Sequence, residues 1–169
     1  MKKFLKTLIG IVIIIAILFG VYTVLPEHSH NIVKSFIQPV FEPRAKQLIT
    51  EVQQIKNKDI NDMTYKDILE KNNGMTCWVY EKAEGDPVEH VIFYGKGASI
   101  NLKDYPDYDG LLTTSCQVKV DFQVYGTSVD IIPYIDGKKM YKDDVKYKDE
   151  NEKIRKDIMT QFANGLRAD

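Results

Sequence analysis

Two cysteines, three histidines and a run of aspartates are the residues in this chain whose types could do chemistry. Cys77 sits in "MTCWVYEK" and Cys116 in "TTSCQVKV". Neither belongs to a C-x-x-C motif or stands beside an activating base, so a reactive thiolate is not indicated. Both fall in segments of alternating polarity. Cys116 shares a face with Val118, Val120, Phe122 and Val124, and Cys77 shares one with Met75 and Val79. If both faces look into one core, the two thiols can meet as a disulfide. Closing a loop of about forty residues would then stabilise the fold by roughly 4 kcal/mol in the chain-entropy account. The alternative is two buried thiols acting as small apolar fillers.

The histidines offer less. "PEHSH" holds Glu27, His28 and His30, and His90 stands apart. A zinc site needs three or four converging ligands, so an H-x-H pair points to a solvated linker with Ser29 as a helix cap. "KDYPDYDG" supplies Asp104, Asp107 and Asp109. Aligned as a calcium loop on its D-x-D-G, the stretch would begin at Tyr105 and end at Cys116, where a glutamate is required, so the match fails. "GKG" at 95–97 opens no helix and is too short to read as a phosphate loop. No Ser-His-Asp set, HExxH or nucleophile elbow is present in the sequence. Neither a cofactor nor a metal is expected. The ten tyrosines are the remaining signal. Aromatic rings at loops favour protein contact, so Tyr105, Asp107, Tyr108 and Asp109 are the expected binding surface for a protein partner.

The elements that would position these residues begin with a hydrophobic run. Residues 8–25, "LIGIVIIIAILFGVYTVL", carry no charge. As a helix they would reach about 27 Å, close to the hydrocarbon thickness of a bilayer. The run is longer than a signal-peptide core and no A-x-A follows it, which favours an uncleaved signal-anchor over a cleaved leader. Lys2, Lys3 and Lys6 precede it, which sets the N-terminus in the cytoplasm and the rest outside. The expected setting is a bacterial cytoplasmic membrane crossed once, with the C-terminal domain extracytoplasmic. With those three lysines set aside, residues 26–169 hold 20 basic and 24 acidic residues, a net charge of −4. That balance argues against nucleic acid, which takes a basic surface.

The expected organisation is 1–25 as cytoplasmic tip and transmembrane anchor, 26–58 as a juxtamembrane helical segment, and 59–169 as an α+β domain. Ser29 to Gln38 reads as a short helix broken by Pro39. Pro43 then opens a second, with Ala45, Leu48, Ile49, Val52 and Ile55 at helical spacing. "MTYKDILEKNNG" reads as a helix with Thr64 and Asp67 as a capping box and Gly74 as its end. From Met75 the period becomes two, giving an antiparallel sheet of about five strands. Gly126-Thr127 suits a type II′ turn and Asp136-Gly137 a type I′ turn. Pro133 places its strand at an edge or an end. Ile154, Ile158, Met159, Phe162 and Leu166 make the apolar side of an amphipathic C-terminal helix.

"TLIGIVIIIAIL…LP" resembles the N-terminal helix of type IV pilins, and helix followed by sheet is also the pilin order. The resemblance covers about twenty residues. It departs at Lys3, where prepilin processing needs glycine before Phe4, and at Gly10, near where pilins carry a glutamate; the chain is not assigned to that family. Three readings of function follow. One is a non-catalytic, membrane-anchored binding module, of immunity or inhibitor type or a subunit of an envelope complex. The second is a structural component of a pilus-like or secretion assembly. The third is an enzyme with a dispersed active site.

Overall fold

The computed structural model describes residues 27–105 and 112–165. Two helices come first, α1 (Glu27–Phe41) and α2 (Pro43–Gln54). A small ladder, β1 (Lys56–Asn57) with β2 (Met63–Thr64), leads into α3 (Tyr65–Lys71). The sheet follows as β3 (Gly74–Glu81), β4 (Glu89–Asn101), β5 (Leu112–Tyr125), β6 (Ser128–Ile135) and β7 (Lys138–Lys139). A 3₁₀ turn then opens α4 (Lys148–Asn164). The five strands pair antiparallel in sequence order, so the expected α+β class and five-stranded sheet are found. Among the described residues no helix is long and apolar enough to cross a membrane. The expected span, residues 8–25, lies outside the described residues.

One face of the sheet carries the core. Trp78, Phe93 and Phe122 project from three adjacent strands, with ring centroids 5.1 Å apart for Trp78 and Phe93 and 5.8 Å for Trp78 and Phe122. Tyr65 of α3 meets Phe122 edge to face at 5.2 Å, an arrangement that suits the ring quadrupoles. Leu48 and Val52 of α2, Leu69 of α3, and Ile154, Ile158 and Phe162 of α4 close over these rings. Gly95 is required here, because a Cβ would stand 2.8 Å from the Phe93 ring.

Local chemistry sets the boundaries. Thr64 accepts from the Asp67 amide at 3.2 Å and donates to its carboxylate at 2.6 Å, which caps α3. Asp136 (φ 48°) and Gly137 (φ 79°) turn β6 into β7 with the two positive φ angles of a type I′ turn. Pro133 pairs with Val120 on one side and lies opposite Met140, just past the end of β7, on the other, so its missing N–H costs no bond to a full strand. Two expectations shift. Helix α1 runs through Pro39 to Phe41, because one lost amide near a helix end is tolerable and Glu42 N donates to Gln38 O at 2.8 Å to close the turn. Gly74 opens β3 instead of ending α3, which stops at Lys71.

The disulfide is not formed: both cysteines are free and buried. Period two was the correct reading of β3, but the faces are reversed. Trp78 and Tyr80 point into the core with Cys116, whereas Cys77 lies in a cross-strand row with Tyr94 on the second face. Strand β4 also separates them, and strands two apart are roughly 9.5 Å apart, beyond the ~7 Å reach of a bridge. Both faces of β3 are apolar because α1 covers the second one. Burial pushes both thiols up to about 11, with Asp136 adding to the effect at Cys116. Thiol reagents should therefore spare both cysteines in the native protein, and both should label fully after denaturation without reductant. Failure to label until a reductant is added would contradict this arrangement.

Candidate functional site

The second face of the sheet presents a groove. Register alone builds it. Tyr94 on β4 stands opposite Lys119 on β5, and Lys119 stands opposite Tyr134 on β6. The Lys119 ammonium lies 5.0 Å from the Tyr134 ring centre and 6.0 Å from that of Tyr94, so the cation is held between two aromatic faces. Around this row the groove encloses about 550 Å³, with Lys96, Met75 and the α1 residue Asn31 on its walls. Met75 is largely exposed and stands at positive φ, where β3 bulges against β4. The groove thus combines two tyrosines, two lysines and a soft thioether on a domain whose net charge is negative. Such a surface suits an acidic or carbonyl-rich segment laid across the strands.

Three other clusters bear on function. His90 and Asp121 form a pair on the same face, with His90 Nδ1 at 3.0 Å from the carboxylate and Gln123 donating to it at 3.2 Å. A carboxylate that orients an imidazole is half of a nucleophilic apparatus, but the ring bonds no hydroxyl or thiol among the described residues. Arg44 grips Glu89 with two nitrogens, at 3.0 and 2.5 Å, while the Tyr80 hydroxyl donates to the same carboxylate at 2.7 Å. These donors, Arg44 first, hold Glu89 down at about 2, and burial with the bond to Glu89 pushes Tyr80 up to about 12. Every partner in that cluster is satisfied internally, and it latches α2 to β3 and β4. A recess of about 340 Å³ at the start of α4 is lined by Asp130, Tyr141, Asp144, Lys148, Glu152 and Arg155. Its charges mix in sign. No group of three or more His, Cys, Asp or Glu suited to a metal exists among the described residues.

The expected binding loop is placed differently. Tyr105 is only 8% exposed, and its hydroxyl donates to Asp157 of α4. Burial and this bond raise its pKa. Tyr105 is therefore a tie between loop and helix. Asp107, Tyr108 and Asp109 lie outside the described residues. The sequence places Tyr94 among the tyrosines near strand ends; the groove residues that sequence reasoning missed are Lys119 and Tyr134. Their only signal was that Lys119 falls on the polar side of an alternating strand. Bringing the three together needs cross-strand register, which no single segment encodes.

No known family model, curated protein or solved structure matches the chain.

Glu89 gives a pH test of the latch. Its carboxyl titrates near 4.5 when free and near 2 in the fold, so its stabilisation is complete above about 4.5 and is lost as pH falls toward 2. Glu89→Gln should lower stability at neutral pH, and its gap from wild type should close over that window in acid titrations followed by circular dichroism. A gap that is constant with pH would contradict the latch.

Proposed function

We propose that this chain is a membrane-anchored extracytoplasmic module that binds a protein partner and has no catalytic step of its own. It is an immunity- or inhibitor-type protein or a subunit of an envelope complex. The observation that carries the reading is the Tyr94, Lys119, Tyr134 row in its 550 Å³ groove. Tyrosine supplies large contact area at low entropic cost, and a lysine held between rings is already ordered before a partner arrives. The uncharged run at residues 8–25 and the three lysines before it support the tether. The tether would confine the groove to the outer membrane-facing layer of solvent, where even a modest affinity is effective.

The partner this groove fits is an extended acidic segment, because Lys96 and Lys119 are the cations along its length. A photo-crosslinking residue at Lys96 in the full-length chain should trap a protein adduct in membranes. Lys119→Glu with Tyr94→Ser should reduce that adduct at least tenfold while leaving the melting midpoint within a few degrees, since both side chains are half-buried and outside the core cluster. An adduct of unchanged yield would remove the groove as the binding surface. Topology is tested separately: a reporter active only outside the cytoplasm, fused after Asp169, should be active. Recovery of a soluble chain beginning near Pro26 would contradict the anchor.

A further inference from the structure

Helix α1 is turned inside out. Its buried positions are polar: Asn31 and Gln38 are 8% and 6% exposed. Its large apolar side chains face away from the domain, with Phe36 75%, Ile37 50%, Val40 73% and Phe41 78% exposed. At 100° per residue these four, with half-buried Val33, fill one side of the helix, roughly opposite the Asn31 and Gln38 side. The reason for the inversion lies at the sheet edge. Gln38 donates to the carbonyl of Tyr80 at 2.7 Å and accepts from its amide at 2.8 Å. That polar contact fixes the rotation of α1, and Lys34 adds an ion pair to Glu81 at 2.9 Å. The helix cannot roll to bury its phenylalanines without breaking these bonds.

We propose that this apolar side of α1 lies on the lipid surface of the membrane that holds the anchor, as an interfacial helix that seats the domain flat on the bilayer. The proposal rests on the tether of the preceding subsection. Two observations favour lipid over protein. First, the uncharged run ends at Leu25 and α1 begins at Glu27, with only Pro26 between them. Proline disfavours helical backbone at the residue before it, so a spanning helix is expected to stop at Leu25 and α1 to start in a new direction. Second, an upright α1 would carry residues 36–41 roughly 16–24 Å above the end of the run at 1.5 Å per residue. A flat one keeps them at the interface, where an amphipathic helix settles. The contact is hydrophobic in character, since a domain of net charge −4 gains nothing from anionic headgroups.

The test uses the full chain in liposomes. Phe36→Cys and Phe41→Cys are labelled with an environment-sensitive fluorophore, and Val145→Cys, exposed on the 3₁₀ turn after β7, is the control. The native thiols are buried, and labelling of the wild-type chain under the same conditions should stay at background. Carbonate extraction comes first: release of the chain would overturn the tether itself, before any probe is read. With the chain retained, doxyl lipids should quench the probes at 36 and 41 several-fold more than the control, and high salt should leave this unchanged. Iodide quenching equal to the control would overturn the proposal by placing the face in water. Shielding from both quenchers would overturn it by placing the face against protein, either a second copy or another partner. Loss of doxyl quenching in high salt would overturn the hydrophobic contact.

Discussion

One buried carboxamide sets how the first helix sits against the sheet, and much of the molecule's outward character follows from it. Strand β3 is an edge strand, and an edge leaves backbone groups that would otherwise recruit another chain. At Tyr80 both outward groups are taken by Gln38, which stands where a neighbouring strand would. The bond is buried, so losing it would leave unpaired groups at a cost of about 1–3 kcal/mol each. It sets the rotation of α1, which in turn decides what the helix hides and what it shows. The buried second face of β3, the exposed phenylalanines and the Asn31 wall of the groove all depend on that rotation.

The same device recurs. Gln161 of α4 accepts from the Asn101 amide at 2.8 Å and donates to its carbonyl at 2.9 Å, at the end of β4. Asn151 of α4 does the same for Lys142, at 2.9 and 2.8 Å, in the segment after β7. In each case a helix supplies one planar donor and acceptor to backbone groups that no strand pairs on that side. Apolar contacts supply most of the cohesion, through α2, α3 and α4 on the core face. The carboxamides add direction, which dispersion and the hydrophobic effect lack.

Much of the architecture was legible because it is written in local periods. The alternation of Val118, Val120, Phe122 and Val124 gave β5 its core face, and the i, i+4 spacing of Ile154, Ile158 and Phe162 gave α4 its stripe. Thr64 with Asp67, and Asp136 with Gly137, marked a cap and a turn through chemistry confined to a few residues. What failed was long-range. The faces of Cys77 and Cys116 could not be related without the intervening β4 and without knowing that α1 covers the second face of β3. Tyr105 looked like a surface ring because its partner, Asp157, is 52 residues away. The groove row was hidden for the same reason: Tyr94, Lys119 and Tyr134 become neighbours only through register.

The functional account joins a tether, a helix that shows its apolar side, and a groove whose wall that helix helps to form. The last two presuppose that Gln38 governs the position of α1. Amide hydrogen exchange of the full-length protein with Gln38→Ala tests this directly. The Tyr80 amide should exchange slowly in the wild type and at least tenfold faster in the variant, while the Phe93 and Val120 amides inside the sheet keep their protection. Unchanged protection at Tyr80 in the variant would contradict the account, because α1 would then hold its place without the carboxamide.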